Sequence, residues 1–306
     1  MTSGNIIGIA AALVLVAGPL LLGLAGLLQA RRASPGAGPD LAAPWSWKLT
    51  IMSALLYALA FNLTFFVQEL FLVLPKALTS GLRPTLFHND HKWEGVNLLA
   101  SLFQGTGALA IFLTGVVCAL LLRRGQGRST AIRLFLFWMA YSGLFMALPQ
   151  VVIGAVSPQS DVGMAMAYLE LGATTKTAAA LVALAAIPLI SVRLRGLLLD
   201  LAGDMDHIAS AKGRRLFLFK IATLPSLLAI PLIILFRIPR EWIEVLMVPV
   251  VVTVIGVAWI QAGAWRINGS RPGDGSAVGS IAWPLGAVLF LLLIFQLLLR
   301  PGIRFY

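Results

Sequence analysis

Eight apolar runs, each about as long as the ~20 residues a helix needs to cross a hydrocarbon core, dominate this sequence. They cover residues 5–29, 49–74, 97–122, 131–156, 173–192, 216–236, 241–261 and 280–299. None shows the in–out alternation of a membrane β-barrel strand. Helices satisfy their own backbone groups where water is absent, so the expected fold is all-α. The whole of 1–306 reads as a single transmembrane domain, a polytopic helical bundle. Composition agrees: 59% of residues are hydrophobic and 11% charged, against about 25% charged in soluble domains. The first run has no basic residues before it and is long for a cleaved signal, so it reads as the first span.

The net charge is +11, but Lys and Arg collect at the ends of the apolar runs. That pattern points to topology and lipid headgroups and not to nucleic acid. One face gathers Arg31, Arg32, Arg123, Arg124, Arg128, Arg193, Arg195, the Lys212–Arg215 cluster, Arg266 and Arg271, with Lys48, Arg133 and Lys220 beside them, 15 of 23 basic residues. The positive-inside rule makes this face cytoplasmic and places both termini outside, as in a bacterial inner membrane. Cys118, the one cysteine, excludes an intramolecular disulfide and a Cys-based zinc cluster.

Several local features carry expectations. Pro149 is expected to kink the fourth run, and Pro188, Pro225, Pro231 and Pro249 also lie within spans. The Gly- and Pro-containing stretches 31–40 and 268–276 read as loops. Between Arg193 and Arg215 a short interfacial helix is expected, with Leu197, Leu198, Leu201 and Ile208 towards lipid. Trp45, Trp47, Trp138, Trp242, Trp259, Trp265 and Trp283 near run ends read as interfacial anchors.

Chemistry concentrates in Phe61–Gly95, "FNLTFFVQELFLVLPKALTSGLRPTLFHNDHKWEG". Glu69 lies inside an apolar run, where an ionisable group is costly and reads as functional or paired. Lys76 or a polar group on a neighbouring helix is the expected partner. Beyond it, "HNDHKWEG" brings His88, Asp90, His91 and Glu94 within seven residues, donors suited to a borderline cation such as zinc. The competing reading is a polar interfacial loop anchored by Trp93. His207, beside Asp204 and Asp206, reads as solvated. No histidine falls within a span, so no axial haem ligand is expected there, and there is no phosphate-binding loop.

"QELFL" at Gln68–Leu72 has the frame of H-E-x-x-H, in which two histidines ligate zinc and the glutamate is general base. The small-residue stretch Phe103–Gly115 follows, then a proline-containing helix and the Asp161-Val162-Gly163 triplet. In this order the stretches resemble intramembrane metalloproteases of the site-two type. The resemblance implies that Glu69 matches the family glutamate and Asp161 a metal ligand. The sequence departs from it at both histidine positions, Gln68 and Leu72, and in placing Glu69 towards the outer face. It therefore implies an inactive, zinc-free relative. Separately, eight helices with short loops, no complete catalytic set and no intramembrane cofactor ligand point to a scaffold or accessory subunit working among other membrane subunits, without a bound cofactor. Two alternatives stay open: a metallohydrolase using Glu69 and Asp161, with zinc recruited through the histidines, and a small-solute transporter.

Overall fold

The computed structural model describes residues 2–32, 45–124, 128–202, 206–239, 242–266 and 279–306. Most of the 31–40 loop and all of the 268–276 loop lie outside the described residues, as do Asp204, Arg240 and the side chain of His207. Within them the chain is a helical bundle with eight helices long and apolar enough to cross a membrane. These are α1 (Ser3–Gln29), α2 (Trp47–Ala77), α3 (Leu99–Arg123), α4 (Thr130–Val156), α6 (Ala173–Leu199), α7 (Ala211–Arg237), α8 (Trp242–Ala262) and α9 (Ala282–Leu299). Helix α5 (Asp161–Tyr168) is short and follows α4 after a turn.

The two least hydropathic spans, α2 and α4, are also the most buried. Lipid offers their polar side chains no partners, so these face protein. Trp138 Nε1 donates to Ser53 Oγ (3.0 Å), whose hydroxyl donates to the Ile221 carbonyl (2.6 Å). Thr50 Oγ1 donates to the Lys220 carbonyl (3.1 Å). Both acceptors belong to a π-helical turn, Phe219–Thr223, and π-turns disturb the regular i→i−4 ladder. Tyr141 donates to the carbonyls of Val252 and Thr253, and Tyr57 shares a 2.8 Å hydrogen bond with Thr253. Helices α3 and α4 approach closely at Gly115 and Gly143, where a Cβ on Gly143 would stand 2.9 Å from the Gly115 backbone. Small residues permit this in membrane bundles.

Two expectations are corrected, those for Trp138 and for the 193–215 segment. Trp138 is fully buried in the core against Tyr57 and Phe137, not at an interface. Trp259 and Trp265 donate to carbonyls of α1, Val14 and Leu22. Leu198 and Ile208 are core residues, and Leu197 and Leu201 pack against that core, because α6 runs on through Arg193 and Arg195 instead of stopping at its apolar stretch. Pro149 is accommodated inside α4, and the chain breaks eight residues later, at Ser157–Ser160.

The Lys76–Val96 segment, expected as a loop, contains a hairpin. Strands β1 (Arg83–Leu86) and β2 (His91–Glu94) pair antiparallel, and β3 (Ile303–Arg304), which follows α9, pairs with the other edge of β1. At the hairpin's neck Gly95 has φ +95°, and a Cβ there would strike the Gly81 carbonyl, so only glycine fits. This sheet holds the segments after α2 and after α9 together, so both helices end on one face of the bundle.

Candidate functional site

The hairpin folds back onto the bundle and delivers His91 to Glu69. His91 Nδ1 lies 2.9 Å from Glu69 Oε2, with both side chains buried. Lys76, seven residues beyond Glu69 on the same helix, is fully buried and not part of an external loop. Its Nζ donates to the Leu72 carbonyl (2.9 Å) and to Gln104 Oε1 (2.7 Å). It also sits 4.5 Å from the centre of the Trp93 ring, a cation–π distance. Trp93 stacks on His91 with ring centroids 5.7 Å apart, so it covers the cluster and is not a lipid anchor.

Gln104 comes from a break in α3, between the short turn Leu99–Phe103 and the helix resuming at Thr106. Its Nε2 donates to Asp161 Oδ1 (3.0 Å), at the first turn of α5. A carboxylate only accepts, so this bond fixes the amide orientation and turns Oε1 towards Lys76 and His91. His91 Nε2 then lies 2.9 Å from Gln104 Oε1 and 3.3 Å from Lys76 Nζ. The shorter contact is a hydrogen bond only if Nε2 carries a proton. Nδ1 faces the Glu69 carboxylate, while Nε2 faces both an acceptor, Gln104 Oε1, and a donor, Lys76 Nζ. Lys76, His91, Gln104, Glu69 and Asp161 form one connected polar cluster.

Glu69 and Asp161 are thus joined through His91 and Gln104. Of the hairpin residues considered as ligands, Asp90 and His91 approach Glu69, their donor atoms all within 4.8 Å of one another. His88 is buried outside that group, and Glu94 is exposed at the far end of β2, opposite Arg83. The set does not fit zinc well. An ion on His91 Nε2 would meet the Lys76 ammonium, and Nδ1 is engaged by Glu69. Of the two motif positions that lack histidine, Gln68 accepts from Gln150 Nε2 (2.8 Å) and Leu72 is fully buried in the core.

Sequence reasoning missed Gln104 and Gln150. Both are polar residues near the same ends of their apolar runs as Gln68 and Glu69, a shared depth that could have grouped them.

Burial pushes the Asp161 carboxyl above its ordinary 3.8; the Glu69 carboxylate and Asp90 add to this, while His91 and Lys76 oppose it. A carboxyl raised in the folded state loses stability as pH climbs from the ordinary value through the raised one. Asp161→Asn keeps an oxygen acceptor for Gln104 but cannot ionise. The variant's melting temperature should therefore gain on the wild type's as pH rises from about 4 to 7. A pH-independent difference between them would contradict this ionisation.

Compared with known proteins, the chain matches no family model, no curated protein and no solved structure.

Proposed function

We propose that this is a non-enzymatic integral membrane protein, a scaffold or accessory subunit of a membrane complex, built on a site-two-protease-like frame that carries no zinc. The observation that supports it best is the Lys76 ammonium, buried between His91 and Gln104 where the metalloprotease reading would need an ion. A covalently attached cation faces the carboxylates and cannot be exchanged, whereas a catalytic metal must keep an open coordination position. Gln68 and Leu72, in the ligand positions, are used in packing and pairing.

The test is metal analysis of the detergent-purified protein alongside the stoichiometry of its co-purifying chains. A companion subunit at fixed ratio with only trace metal supports the reading. About one zinc per chain, the occupancy of a structural or catalytic site, would overturn it and favour hydrolysis by Glu69 and Asp161.

The same reading places the hairpin face outside a bacterial inner membrane. A reporter fused after Arg128 should report a cytoplasmic position and one after Asp90 an external one. The reverse pattern would invert the orientation.

A further inference from the structure

A cavity of about 320 Å³ lies beside the charged cluster, between α2, α4, α5 and α8, at the small end of ligand-pocket sizes. Its walls are mostly apolar, with Phe65 and Phe145 among them. Ile153, Met247 and Val251 also line it, and all three are exposed on the bundle surface. That surface belongs to spanning helices, so the cavity opens towards lipid.

Gln68, Gln150, Ser160 and Asp161 are its polar lining. Gln150 Nε2 donates to Gln68 Oε1 (2.8 Å) and to the Met146 carbonyl (3.2 Å), using both its hydrogens. Gln68 Nε2, Gln150 Oε1 and Asp161 Oδ2 have no hydrogen-bond partner among the described residues. Gln68 is only 7% exposed, so its amide hydrogens can be satisfied only from within the cavity. An apolar pocket with a few convergent polar groups is the usual form of a ligand site.

We propose that this cavity holds the head of an uncharged lipid-borne molecule carrying an acceptor oxygen close to a hydroxyl. The acceptor oxygen takes a hydrogen bond from Gln68 Nε2, and the hydroxyl donates to Gln150 Oε1 or Asp161 Oδ2. The apolar tail leaves past Met247 and Val251 into the bilayer. An anionic head is disfavoured by Asp161 with Glu69 behind it. A cationic head meets the Lys76 ammonium behind those carboxylates. Acylglycerols and isoprenoid quinols share the required chemistry.

The experiment titrates the full-length purified protein with dioleoylglycerol in one arm and a decyl-quinol in the other, following melting temperature. Phosphatidylglycerol serves as the charged comparison. One neutral probe should raise the melting temperature saturably, and which one does so identifies the source. Gln68→Leu combined with Gln150→Leu removes the amide pair together, so neither partner is stranded, and should weaken binding about tenfold or more. Val251→Trp, at the mouth, should weaken it without touching the polar end, and decides the matter should the double variant fail to fold. No saturable response to either neutral probe, an equal response in the variants, or an equal response to phosphatidylglycerol would overturn the proposal.

Discussion

Lys76→Met should destabilise the folded protein by about 3–5 kcal/mol, the range for removing one member of a buried ion cluster. Methionine matches the length and apolar stem of lysine, so the change isolates the ammonium. Without it Gln104 Oε1 loses its 2.7 Å donor and Trp93 loses the cation beneath its ring. Glu69 then keeps His91 and Asp161 keeps Gln104 as hydrogen-bond partners, with no ammonium beside them. Lys76→Arg should not rescue the loss, since a planar guanidinium cannot occupy the space of a compact ammonium. Equilibrium unfolding in detergent measures the stability, and proteolysis of the Lys76–Val96 segment reports whether the hairpin has lifted. Full stability with an undisturbed hairpin would show that the ammonium does not hold the cluster.

Glu69 should respond according to what replaces it. Glu69→Gln keeps shape and an acceptor for His91 Nδ1, so the bundle should assemble with a modest loss. Glu69→Leu removes both charge and acceptor and strands a buried histidine, a loss of about 3–5 kcal/mol. A catalytic glutamate predicts the opposite ordering: glutamine would abolish turnover while stability held or rose, because functional carboxylates are often stability liabilities. Residues in one network are not additive, so Lys76→Met should cost less on the Glu69→Gln background than alone. Equal tolerance of Gln and Leu would place Glu69 in contact with water and exclude the buried pair.

The spans were legible because apolar length is a local property, and all eight runs correspond to helices. The centre of the bundle was legible in principle too: polar residues such as Ser53, Tyr57, Asn62, Gln68 and Glu69 crowd α2 and must face protein. The partner of Glu69 was harder to read. Lys76 follows it by seven residues, on the same helix face but about 10 Å along the axis, too far for a direct bond. His91 and Gln104 fill that gap, and both arrive from outside α2. Four-residue strands carry little periodicity, and β1 is paired in part by residues more than 200 positions later, so no local signal marked the hairpin as ordered. Asp161 was singled out only through a resemblance, and its neighbour Gln104 depends on the break in α3, which the apolar run 97–122 conceals.

The third strand has a consequence for how the protein is made. Thr85 and Leu86 can pair with Arg304 and Ile303 only once α9 is in the bilayer. The sheet that carries His91 to Glu69 is therefore completed only after all eight helices have been inserted. Until then β1 presents an open edge on the side away from β2. Biosynthesis thus has a built-in order: the hairpin and the polar centre, whose residues all precede α6, can come together first, and the free edge of β1 is covered last.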